Sequence, residues 1–123
     1  KRHTIRIKGK RFDFEITYFH LGVNSSWKSY SLSEVNGILE IVINVDFPAW
    51  ITTRDTPFYV VMLVGEALAE IICKQNNEFT PSKVQEIKEE ILRKASELKN
   101  DFEEEVEQKK DEYREATSFI KQQ

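Results

Sequence analysis

At 123 residues, 40% of them hydrophobic and 32% charged, the chain is long enough to bury a real core and too rich in charge to be core throughout. Its single cysteine, Cys73, excludes an internal disulfide. No uninterrupted apolar run reaches the length of a membrane span, and the basic opening KRHTIRIKGKR has no signal-peptide core. A cytoplasmic α+β domain is expected, with Cys73 in EIICKQ as a small buried hydrophobe. The start at Lys1 without methionine fits a piece of a larger protein, or else processing. The net charge of −3 conceals an asymmetry: Lys1, Arg2, Arg6, Lys8, Lys10 and Arg11 are all basic, whereas Asp101 to Glu115 is dominated by acids.

In chain order, Ile5 and Ile7 alternate with Arg6 and Lys8, and Phe12, Phe14, Ile16 and Tyr18 alternate with Asp13, Glu15 and Thr17. Period two over this length predicts strands with one wet face, joined at Gly9-Lys10 by a tight antiparallel turn with glycine first. LGVNSSW reads as a polar loop. Asn36-Gly37 then lies between two strand-like runs, a strong hairpin signal because both residues tolerate positive φ. Leu39, Ile41, Ile43 and Val45 make one face of the next strand, and Ile38 and Val42 on the other face place it in the sheet interior. Pro48 should end that strand near Asp46, leaving Phe47 and Trp50 as aromatic plugs. Asp46 at such a corner is expected to cap a turn rather than to do acid–base chemistry.

Thr56-Pro57 gives an N-cap and first turn, and the apolar run from Phe58 to Cys73 predicts a helix buried against the sheet. Glu66, Glu70 and Lys74 form its polar stripe, expected at the water edge with a Glu70–Lys74 pair. Gly65, with Ala69 one turn on, predicts a flat patch of close approach. Thr80-Pro81 repeats the start signal, and with no later glycine or proline one helix could run to the C-terminus, about 60 Å long. Its stripe repeats every eleven residues: Ile87, Leu98 and Ile120; Ile91, Phe102 and Tyr113; Val84, Ala95 and Val106. Such a period favours a nearly straight helix pair over a heptad coil, with Lys109 as an interruption. The predicted organisation is thus an antiparallel sheet of about four strands with its buried helix over residues 1–79, and a long charged amphipathic helix over 80–123.

Chemistry is sparsely represented. His3, His20 and Cys73 have no metal-ligand spacing, so neither a metal nor a cofactor is expected. His20 with Ser25 or Ser26 lacks the Gly-flanked turn that exposes a nucleophile, and the glycines at 9, 22, 37 and 65 form no phosphate cradle. No catalytic residue is assigned. Two binding surfaces stand as alternatives. The helix stripe (Ile87, Ile91, Leu98, Phe102, Val106, Tyr113) is expected to contact a second copy or the rest of a parent protein. The basic hairpin (Arg6, Lys8, Lys10, Arg11), with its nearby aromatics, offers a nucleic-acid surface instead.

GKRFDFEITYF, the loop ending at Trp27, the strand ILEIVINVDFPAW and the GEALAEI helix together make residues 10–74 resemble the C-terminal domains of bacterial proteins built on a GHKL-type ATPase. Asn44, Phe47 and Pro48 match the family's Ile-Asn-x-x-His-Pro-aromatic pattern, Phe47 standing where the histidine is usual. The resemblance implies the non-catalytic end of an ATP-dependent switch, with the nucleotide site upstream and no functional residue carried over. The remaining alternative is a regulatory part of an enzyme whose active site lies in that upstream region.

Overall fold

The computed structural model describes residues 1–32 and 36–122, with side chains described as far as Ala116. The chain is α+β. Strands β1 (Arg2–Ile7), β2 (Lys10–Phe19), β3 (Lys28–Tyr30) and β4 (Leu39–Asn44) form one sheet, in the order β1-β2-β4-β3. Helices α1 (Pro48–Thr52), α2 (Thr56–Gln75), α3 (Pro81–Leu92) and α4 (Ala95–Gln122) follow.

β1 and β2 form the expected hairpin, but its two turn residues are Lys8 (φ 50°) and Gly9 (φ 78°), so glycine takes the second place. A two-residue loop with both φ positive carries the twist of the flanking strands, and Gly9 adopts it without a Cβ penalty. The sheet is not purely antiparallel. β3 pairs antiparallel with β4, whereas β4 pairs parallel with β2, Ile16 lying opposite Ile41. β4, apolar on both faces, takes the interior place, and because the chain reverses between β2 and β3 and again between β3 and β4, β4 runs in the direction of β2 beside it. Asn36 (φ 59°) and Gly37 (φ 76°) adopt the expected positive φ in the connection between them.

Strand alternation puts His3, Ile5, Ile7, Phe12, Phe14, Ile16, Leu39, Ile41 and Ile43 on a buried face and leaves the opposite face open. α2 lies over the buried face. Its cap is Asp55, one residue before the expected threonine, whose Oδ1 accepts from Phe58 N at 3.2 Å. By length and composition α2 could cross a membrane, with a mean hydropathy of 1.6, but 72% of that stretch is buried inside the fold, as in a core helix. Gly65 marks the predicted close approach: a Cβ there would lie 3.2 Å from Leu92 Cδ2 of α3. Cys73 is buried, and burial pushes its thiol above the ordinary range.

The expected single helix from residue 80 onward is instead two. Thr80 caps α3 as anticipated, accepting from Lys83 N at 3.3 Å. The chain then bends at Arg93-Lys94, where Lys94 N bonds Ile91 O and Leu98 N bonds Lys94 O. Neither glycine nor proline marks the bend. α3 and α4 both pack on α2, and Ile87 and Ile91 before the bend share one core with Leu98, Phe102 and Val106 after it. Residues beyond 80 therefore complete the sheet module's core.

Candidate functional site

The stretch INVDFPAW is built as an anchor. Asn44 is fully buried where β4 ends, and its Nδ2 donates to Gly22 O (2.9 Å) and Ser26 O (3.1 Å). Its Oδ1 accepts from Leu21 N (3.1 Å) and Asp46 N (3.0 Å), so one side chain closes the loop between β2 and β3 onto β4. Asp46 accepts from Gly22 N (2.8 Å) and pairs with His20 Nδ1 (2.6 Å). The hydrogen bonds from His20 and Gly22 hold the Asp46 carboxyl below its ordinary value. Pro48 starts α1, Trp50 is fully buried beneath it, and Phe47 is half-buried.

The His20–Asp46 pair stands beside a groove of about 340 Å³, with Tyr18, Val45, Lys109 and Tyr113 among its lining. A histidine oriented by an aspartate is half of an acid–base device. The other half is not assembled with the serines considered from sequence, because Ser25 Oγ donates to Leu21 O at 2.7 Å and Ser26 Oγ accepts from Lys28 N at 3.4 Å.

Two polar networks were not legible beforehand. His3 is buried, edge-on to Phe102 with ring centres 4.8 Å apart, and its Nε2 meets Glu105 Oε2 at 2.9 Å. Tyr18 donates to the other oxygen of Glu105 at 3.2 Å. Burial pushes the Glu105 carboxyl up, but His3 and Tyr18 outweigh it and the group lies below its ordinary value. Burial, then the charge of Glu105, drives the Tyr18 phenol strongly upward. On α4, Lys110 rather than Lys109 turns inward. It is buried over the Trp50 ring and donates to the α1 carbonyls of Trp50 and Ile51, so that burial and then Arg114 lower its pKa.

The second network corrects the reading of the α2 stripe. Glu66, Glu70 and Lys74 are half-buried and face β3 and α3 rather than open water. Glu70 pairs with Lys28 (2.8 Å) and accepts from Tyr30 (2.9 Å), while Lys74 donates to Tyr30 Oη (2.7 Å) instead of pairing with Glu70. Glu66 lies between Lys28 (3.7 Å) and Lys88 (3.9 Å). Such a chain of alternating charges cross-links β3, α2 and α3.

The two surfaces anticipated from sequence fare differently. Ile87, Ile91, Leu98, Phe102 and Val106 are buried in the chain's own core, so the expected partner stripe is an internal contact; Tyr113 alone of the six is half-buried. The reason is that α3, on one side of the bend, and α4, on the other, both pack on α2. Ile120 lies outside the described side chains. Arg6, Lys8, Lys10 and Arg11 are all exposed, but Lys8 pairs with Glu86 (3.2 Å) and Arg11 with Asp13 (3.0 Å). Phe12 and Phe14 are buried beneath the hairpin, which removes them as stacking platforms for bases.

What sequence reasoning missed is an apolar end. Phe19, Leu21, Val23, Ile51 and Phe58 are exposed, five of the seven large apolar side chains that are so among the described residues. β2 and β4 run parallel and finish together, α1 follows β4, and α2 starts just after, so all five lie at the same end of the molecule. Three apolar residues in five at Phe19–Val23 were the available signal. Comparison with known proteins adds no name to this surface: no family model, curated protein or solved structure matches the chain.

Proposed function

We propose that the chain is a non-catalytic interaction module of a larger protein, and that it associates through the apolar end of its sheet rather than through the α3–α4 stripe. The exposure of Phe19, Leu21, Val23, Ile51 and Phe58 at one end carries this reading, since large apolar side chains exposed together at one end of a folded domain are what a contact site presents. The groups able to do proton chemistry support it from the other side. His3, Tyr18, Tyr30, Glu70 and Glu105 are engaged with one another in pairs and networks that join elements, and Asp46 secures a loop. The resemblance to C-terminal domains of GHKL-type ATPases supports placing such a module behind a nucleotide-driven domain, coupling its switching to assembly. Self-association is the simplest form of that coupling. Light scattering across a concentration series is expected to give a mass above the monomer, and the double substitution Leu21→Glu, Phe58→Glu is expected to return it to the monomer with the circular dichroism unchanged. A mass unaffected by that double substitution would remove the apolar end as the interface.

A further inference from the structure

β1 is an edge strand of the sheet. Among the described residues β1 has one neighbour, β2, and the two-residue turn at Lys8-Gly9 fixes which backbone groups point away from it. Ile7 and Lys10 close that turn and exchange hydrogen bonds, so bonding alternates along the hairpin: His3, Ile5 and Ile7 bond β2, and Arg2, Thr4 and Arg6 direct their N–H and C=O outward. An independent contact agrees with this phase, because Lys94 Nζ donates to the Arg6 carbonyl at 2.7 Å from outside the sheet. The same edge borders a groove of about 260 Å³ between Thr4–Arg6 and the start of α4. Ile5 and Leu98 are its buried floor, and Glu97 and Asp101 stand on the helix wall. An open strand edge beside a helix is the geometry in which proteins add an extended peptide to a sheet.

We infer that this edge binds an extended acidic peptide segment, added antiparallel to β1 with acids at alternate positions and apolar residues between them. A residue paired with Arg2 or Arg6 shares their side of the sheet, and neither arginine holds an ion pair among the described residues. Acids at those positions would meet Arg2, which lies across from Glu15 and acts on Asp13 without an ion pair, and Arg6, which lies across from Arg11. The intervening side chains would face Ile5 and Leu98 beside Glu97 and Asp101. A second copy fits poorly. Antiparallel pairing of two β1 strands about Thr4 sets Arg2 of one copy across from Arg6 of the other, and like charges directly opposite oppose pairing. This inference rests on the reading of the chain as an interaction module but uses a different surface.

The test is backbone amide NMR on the whole chain, titrated with two end-blocked heptapeptides: glutamate alternating with valine, and lysine alternating with valine. Expected are shifts at Arg2, Thr4, Arg6 and Lys94, with the lysine peptide binding at least tenfold more weakly. Methylating every second backbone nitrogen of the glutamate peptide, so that its inward N–H donors are lost, should also weaken binding at least tenfold. Thr4→Pro removes an outward donor and should do the same, and the methylated peptide decides the matter if that variant does not fold. Equal binding of the two charge types, shifts that avoid the β1 edge, or a chain that dimerises through β1 would each overturn the inference. Repeating the titration on the Leu21→Glu, Phe58→Glu variant separates the two proposals. Retained peptide binding there, whatever the mass measurement says, keeps the edge independent of the apolar end.

Discussion

The two faces of the sheet are made by the same strands, and they differ in almost everything a neighbour could use. Toward α2, α3 and α4, the positions from His3 to Ile43 that alternation turns inward are apolar or, as with His3, Tyr18, Lys28 and Tyr30, bonded to a carboxylate of a helix. On the other side stand Arg2, Thr4, Arg6, Arg11, Asp13, Glu15, Thr17 and Glu40, exposed or half-buried. The covered face therefore holds most of the folding free energy, while the open face is a solvated one whose polar side chains bond along the surface, as Thr4 and Arg11 do with Asp13. A substitution should be felt in proportion to its depth on the covered side, and scarcely at all on the other.

The largest expected effect is at Phe102, fully buried and edge-on to both His3 and Phe14. Phe102→Ala should lower stability by about 3–5 kcal/mol, measured by chemical denaturation, because the void lies where α4 meets the sheet and has little room to collapse. If Phe102 were instead the external contact that its stripe implied from sequence, the same change would leave stability nearly unaltered and alter association. Asn44→Ala is expected next. It would leave Leu21 N–H, Asp46 N–H and the Gly22 and Ser26 carbonyls without their partner, at about 1–3 kcal/mol, with faster hydrogen exchange at Leu21 and Asp46 as the local signature. Gly65→Val follows at about 1–3 kcal/mol through crowding of Leu92. Gly65→Ala should fall well short of that, since its gain in helix propensity of about 1 kcal/mol opposes a contact that the end of the Leu92 side chain can relieve.

How far these features were legible depends on whether they were local. The β1–β2 hairpin, the interior position of β4, the buried α2 helix and the tight spot at Gly65 follow from alternation, turn chemistry and helical periodicity, which act within a few residues. The parallel register of β2 with β4 is a long-range choice between strands far apart in sequence, and no local signal encodes it. The break at Arg93-Lys94 carries no local signal either, since both residues are good helix formers. His3 with Glu105 is a partnership across most of the chain, and Lys110 with the carbonyls of α1 one across nearly half of it. The open apolar end needed the strand ends to be placed in space before Phe19, Ile51 and Phe58 could be recognised as neighbours at one pole.

The His3–Glu105–Tyr18 network is where the covered face carries charge, and pH is the way to probe it. The folded Glu105 carboxyl titrates below its ordinary value, so its contribution is complete above the unfolded value of about 4.3 and disappears as pH falls through the lower folded one. The thermal midpoint should therefore drop on the acid side. Glu105→Gln should reduce that acid slope relative to the parent while leaving the midpoint closer to pH-independent over the same range. An identical acid slope in both proteins would assign it to other carboxylates, such as Asp46 and Asp13, which are also held low by their hydrogen bonds.

The smallest expected effect lies on the open face, and its sign is the informative part. Glu15 and Glu40 are directly opposite in the parallel register of β2 with β4, on the side away from the helices. Like charges so placed oppose strand pairing by a few tenths of a kcal/mol, and on an exposed surface water and salt screen most of the repulsion. Glu40→Gln removes the repulsion and keeps an oxygen to accept from Thr17 Oγ1, 3.4 Å away. Stability should rise by no more than about 0.5 kcal/mol, and by less at high salt, in matched denaturation curves. A loss of more than about 1 kcal/mol would mean that the open face is also a packed one, and the division between a folding side and a solvated side would fail at the sheet's centre.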